Sequence, residues 1–142
     1  MKSDINCVLV HKGYKPYLKY NLEITSKNNK IYLIGDKSLE SLQNISKNIT
    51  FVDISKYENS ENIVEYKNYF TNYSTNSFDF EWFCFARVFI IQNFIKENSL
   101  ENIFYIDSDN VLLEDINNLS FTSSNAFMIP HHQESFRMSA SI

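Results

Sequence analysis

Residues 103–110 read Ile103-Phe104-Tyr105-Ile106-Asp107-Ser108-Asp109-Asn110, a short apolar, β-prone run that ends abruptly in carboxylates. Such a run predicts a strand buried on both faces, as in a parallel sheet. Side chains two apart in an extended chain point the same way, so Asp107 and Asp109 are expected to converge on one spot. The carboxyl end of a buried strand is where open α/β sheets take their ligands. Two carboxylates held about 6–7 Å apart along a chain repel one another. A hard divalent cation with oxygen ligands relieves that repulsion. Asp, Ser and Asn are also ordinary turn formers, so a plain polar turn is the competing reading.

Immediately upstream, residues 80–98 predict a helix with Asp79 as its N-cap. The segment is apolar nearly all round as far as Phe94, which predicts burial. Arg87 interrupts it, on the face shared by Phe80, Cys84 and Ile91. A buried guanidinium must be paired. Its partner is either a protein carboxylate or a phosphate, which the planar fork of Arg suits.

Working back to the start, residues 5–10 read as a strand, and Pro16 opens a helix that runs to about Ser26. That helix has Leu18, Leu22 and Thr25 on one face, with Tyr17, Tyr20 and Ile24 beside it. Residues 30–34 form the second strand, 38–46 a short helix and 49–54 the third strand, ending near Asp53. Strand, helix, strand, helix, strand at this spacing predicts a mainly parallel sheet of four or five strands with helical crossovers. The polar, Tyr-rich stretch 55–77 reads as mixed loop and helix, with Tyr57, Tyr66, Tyr69, Phe70 and Tyr73 as packing residues. Past the acidic motif, Asp115 caps a short turn, 125–129 reads as a strand, and His131 and His132 sit in a loop where a metal role is the minor reading.

The composition narrows the function classes. Of 142 residues, 44% are apolar, including 12 Phe and 9 Tyr, enough for a real core in one domain. Lys and Arg total 13 against 17 Asp and Glu, a net charge of −4, which argues against nucleic acid as the main partner. Cys7 and Cys84 make neither a disulfide framework nor a zinc pattern, so a reducing, cytoplasmic setting is expected. No run reaches transmembrane length, and the N-terminus lacks a signal-peptide pattern. Gly13 and Gly35 are the sole glycines, so no Gly-rich loop can cradle a phosphate; a diphosphate would need a metal or an Arg.

An apolar strand ending in Asp-x-Asp has two well-known settings. IDSDNV resembles the DxDxT/V motif of haloacid-dehalogenase-type phosphatases, in which the first Asp is the nucleophile. It also resembles the DxD motif of GT-A-fold glycosyltransferases, in which the carboxylates hold Mn²⁺ or Mg²⁺ on the donor diphosphate. Position favours the second. The phosphatase motif sits on the first strand with an acidic pair far downstream, whereas here it falls at residue 107. PYLKYNLEITSKNN followed by IYLIGD, and WFCFARVFIIQNFIKENSLENIFYIDSDNVLLEDI, are similar to blocks of bacterial GT-A sequences, and the likeness spans most of the chain.

The resemblance implies a Rossmann-like GT-A α/β domain that transfers a sugar from a nucleotide-diphospho-sugar to a glycan, lipid or protein acceptor. It carries over Asp107 and Asp109 as the metal motif, with Ser108 between them and Arg87 as a donor contact. By position, His11 and Asp36 become nucleotide contacts. It names no catalytic base. GT-A domains usually continue for another hundred or more residues that supply the acceptor site. Residues 1–142 are therefore expected to form a single donor-binding domain without the acceptor half, working in the cytoplasm or at a membrane surface. A sugar-nucleotide-binding fragment without catalysis is the alternative from a different class.

Overall fold

The computed structural model describes residues 4–120. Four strands, β1 (Asn6–His11), β2 (Ile31–Gly35), β3 (Ile49–Asp53) and β4 (Ile103–Tyr105), form an all-parallel sheet in the order β3-β2-β1-β4. Helix α1 (Pro16–Thr25) links β1 to β2, and a 3-10 helix (Lys37–Ile45) links β2 to β3. Helices α2 (Ser55–Glu58), α3 (Glu61–Tyr69) and α4 (Phe78–Asn98) lie between β3 and β4. This is the α/β, Rossmann-like architecture expected from the alternation of strands and helices. The expected strand at 125–129, His131 and His132 lie outside the described residues.

β1 shows why both faces of the sheet must be covered. Cys7 and Leu9 enter one apolar cluster with Leu18 and Leu22 of α1 and Leu39 and Leu42 of the 3-10 helix. Val8 and Val10 enter a second cluster with Ile54, Tyr57, Ile63, Ile90, Ile91 and Phe94 from the α2–α4 side. The period-two alternation of one strand thus feeds two cores. Burying a side chain such as Leu9 or Leu33, both fully inaccessible, contributes about 1.5–3 kcal/mol.

Several expectations change. Residues 38–46 were expected as an ordinary helix, but 37–45 wind as 3-10, with Asp36 accepting from the Ser38 amide at 2.9 Å. α4 is capped by Ser77, whose Oγ accepts from the Phe80 amide at 3.3 Å, and not by Asp79, which falls inside the first turn. α4 is also not buried all round. Ala86, Ile90, Ile91 and Phe94 are buried, whereas Phe80 and Phe85 are more than half exposed. One sheet face can cover only one stripe of a helix, whatever its composition. Tyr57 does pack inside, but Tyr69 and Tyr73 are 79% and 94% exposed, so they are not packing residues here. Among the described residues β4 lies at the sheet's edge, and its three residues are half-buried where burial on both faces was expected.

Candidate functional site

The chain runs β1, β2, β3 outward in one direction and then returns to the other side of β1 as β4. The gap between the carboxyl ends of β1 and β4 is therefore the topological switch point, the usual ligand crevice of such sheets. His11 ends β1, and Asp107 follows β4 by two residues.

Asp107 is held from the α4 side. Its Oδ1 accepts from Arg87 Nη1 at 2.8 Å and from the Tyr105 hydroxyl at 2.8 Å. Arg87 Nε donates to the Cys84 carbonyl at 3.3 Å, and its guanidinium carbon lies 5.8 Å from the centre of the Tyr105 ring. Burial pushes the Tyr105 hydroxyl well above its ordinary range, with Arg87 opposing and Asp107 reinforcing the shift. The phenol therefore stays protonated and can donate. Tyr105 was not foreseen as a site residue, although its place two residues before Asp107 sets both on one face of the strand.

The ladder does not continue through the motif. Asn110 N donates to the Asp107 carbonyl at 3.0 Å, closing a tight turn with Ser108 and Asp109 at its centre. The two carboxylates are thus set by a turn and not by extended-chain alternation. Ladder pairing stops at Tyr105, and the Asp-Ser-Asp-Asn sequence takes the turn that its residue types favour. Asp109 is exposed and pairs with none of the described residues.

The turn is tied down from the α1 side by residues that sequence reasoning missed. Asn21, only 2% exposed, donates its amide to the Ser108 carbonyl at 2.8 Å and to the Asn110 carbonyl at 2.7 Å. Thr25 donates to Asn21 Oδ1 at 2.9 Å and accepts from the Leu112 amide at 3.1 Å. Asn29 donates to the Glu114 carbonyl at 3.0 Å and accepts from the Ile116 amide at 2.9 Å. Asn28 Nδ2 donates to the Leu113 carbonyl at 3.1 Å. A buried Asn on the otherwise apolar stripe of Leu18 and Leu22 was the available signal, since a buried amide must find partners. Tyr17 OH lies 3.3 Å from Ser108 Oγ and contacts the His11 ring edge-on, with centroids 6.2 Å apart.

His11 and Asp36 belong to the same end of the sheet. Burial lowers the His11 pKa from its ordinary value, while the Gly13 backbone and Asp36 oppose and Lys15 and Arg87 reinforce the shift. His11 Nε2 is buried and has no hydrogen-bond partner among the described residues. Burial acts to raise the Asp36 pKa, but hydrogen bonds from Ser38 and the Gly13 amide outweigh it and hold the carboxyl below its ordinary value. Asp36 thus fastens the loop after β1, where Gly13 has a φ of 77°. Gly35 is required by close packing, because a Cβ there would lie 2.8 Å from the His11 carbonyl oxygen and 2.5 Å from Leu39 Cδ1.

Among the described residues, no group of three or more His, Cys, Asp or Glu could hold a metal ion. The donor chemistry nevertheless fits one binding mode. Mg²⁺ is commonly held by one or two carboxylates, with substrate phosphates and water completing the shell. Asp107 has accepting capacity left on its second oxygen, and Asp109 is open. Comparison of the chain with protein-family profiles, with curated proteins and with solved structures finds no match.

Proposed function

We propose that this domain binds a nucleotide-diphospho-sugar together with Mn²⁺ or Mg²⁺, as the donor-binding part of a GT-A-like sugar transferase. The observation that carries this reading is Asp107 at the switch-point crevice, fixed by Arg87 and Tyr105, with the open carboxylate of Asp109 beside it in the same turn. A cation bound there supplies Lewis-acid stabilisation of the charge that develops on a leaving diphosphate. Arg87 adds a second positive group with a planar fork suited to phosphate. His11, by its place at the end of β1, is assigned a contact for the nucleoside, and Asp36 shapes the loop around it.

A phosphatase of the DxDxV kind is less well supported. Its nucleophilic Asp closes the first strand of the sheet, whereas Asp107 follows β4. The free thiols of Cys7 and Cys84 suit a reducing, cytoplasmic setting. Among the described residues, no helix is long and apolar enough to cross a membrane. The test is calorimetric titration with a panel of nucleoside diphosphates and their sugars, with and without Mn²⁺. Binding that needs the cation and is lost in Asp109→Asn supports the reading.

A further inference from the structure

The outward side of the first half of α4 is apolar. Phe80, Cys84 and Val88 follow one another at four-residue spacing, with Phe85 beside them. Phe80, Phe85 and Val88 are exposed and Cys84 is half-buried. Phe70, just past α3, carries this surface onward: its ring lies 5.3 Å from that of Phe78 and 5.8 Å from that of Phe85. Tyr69 precedes Phe70, and Tyr73 sits in the loop that follows. Asn76 holds that loop to α4 by donating to the Glu81 carboxylate, which is thereby drawn aside from the apolar row. Tyr69, Tyr73, Phe78, Phe80 and Phe85 expose between 41% and 94% of their surface. At about 150–250 Å² per aromatic side chain, they leave roughly 500–800 Å² of apolar surface open. The largest such patch on an ordinary monomer is roughly 300–600 Å². Each partner in a standard protein interface contributes about 800 Å².

We propose that this face is an interface between two copies of the chain, in which α4 packs across α4 of the second copy about a twofold axis near Cys84. A row of side chains at four-residue spacing is the ridge that fits the groove of a neighbouring helix, and two such rows cross at about 50°. Cys84 is the smallest member of the row and lets the helices approach. Phe80, Phe85 and Val88 of each copy then fill the space on either side. A centre rich in aromatic side chains and poor in charge is the composition of an interface core. A twofold axis closes the patch on itself, because one apolar face meets its own copy. An anionic lipid surface fits less well, since Asp79 and Glu81 border the patch and the chain carries a net charge of −4. The inference does not rest on the reading of Asp107 and Asp109.

The test is sedimentation equilibrium of the 142-residue chain over a dilution series, joined to cross-linking. A monomer–dimer equilibrium is expected. Phe85→Glu should weaken it at least about thirtyfold. Phe85 is exposed, so the substitution leaves the core intact, which circular dichroism verifies. Tyr20→Glu, which alters an exposed aromatic on α1, should leave the equilibrium unchanged. Cys84 supplies the geometric readout, since Cys7 is fully inaccessible and does not compete for reagent. A short bifunctional maleimide should join two wild-type chains, and Cys84→Ser should abolish the cross-link while retaining the dimer. The proposal is overturned by a wild-type chain that is monomeric throughout the series, including one that instead binds phosphatidylcholine or phosphatidylglycerol vesicles. Open-ended association without a defined dimer overturns it too, as does a dimer that is insensitive to Phe85→Glu or that Cys84 does not cross-link.

Discussion

The Arg87 guanidinium donates to the Asp107 carboxylate at 2.8 Å, joining the long crossover helix to the end of the strand that follows it. Both side chains are 24% exposed, so the pair is neither a surface contact nor a sealed one. Truncating one partner of a fully buried pair costs about 3–5 kcal/mol. Partial exposure here lowers the expectation for Arg87→Ala to about 2 kcal/mol, read by urea denaturation. Arg87→Lys should cost less stability, yet weaken nucleoside diphosphate binding more than nucleoside binding, because the bidentate fork is lost. Equal weakening of the two ligands would mean that Arg87 does not face the diphosphate.

Asn21 determines where the Asp-Ser-Asp turn sits. Asn21→Leu keeps the size but leaves the Ser108 and Asn110 carbonyls without their donor. The expected loss is about 2–3 kcal/mol. Asn21→Asp should be at least as damaging, since it sets a carboxylate against two carbonyl oxygens. Either variant should also lose metal-dependent nucleotide binding at temperatures where it is still folded. Unchanged denaturation midpoints would show that the bridge contributes nothing.

Gly35→Ala tests the packing between β1, β2 and the 3-10 helix. The added methyl would meet the His11 carbonyl oxygen, a backbone atom that cannot swing aside, as well as the tip of Leu39. Overpacking of this kind costs about 1–3 kcal/mol. A thermal midpoint equal to that of the wild type would contradict the close approach.

His11 should make stability depend on pH. Its folded pKa lies below its ordinary value because burial disfavours the charged ring. As pH falls through about 6.5, the unfolded chain takes up this proton before the folded one does, so stability declines. The decline ends once pH drops below the folded value. His11→Gln should flatten the difference in unfolding free energy between pH 7.5 and 5.5. An equally steep decline in the variant would place the titration elsewhere.

The fold was legible because its signal is repeated. β-prone runs and helical stretches alternate from β1 to β4, and each apolar run had to find a face of one sheet. The errors fell where local and tertiary effects compete. α4 reads as apolar all round, but only one stripe meets the sheet, which leaves Phe80 and Phe85 outside. Asp107 and Asp109 were legible as a pair, and Arg87 as a buried charge in need of a partner. That Arg87 and Asp107 satisfy each other could not be read, since twenty residues separate them. Asn21, Asn28 and Asn29 look like ordinary polar residues of a helix and its end. Their partners lie more than eighty residues away and are backbone atoms, which carry no sequence signal.

The most direct test of the donor-site account is calorimetry of the wild-type chain with a nucleoside diphosphate panel, in Mn²⁺ and then in chelator. The account predicts that at least one nucleotide binds with Mn²⁺, that the heat disappears in chelator, and that Asp109→Asn abolishes it while leaving the thermal midpoint of the unliganded chain unchanged. Mn²⁺ alone should bind only weakly, because two carboxylates without a phosphate do not complete its shell. Nucleotide binding of equal strength in chelator, or no binding by any member of the panel, would contradict the account.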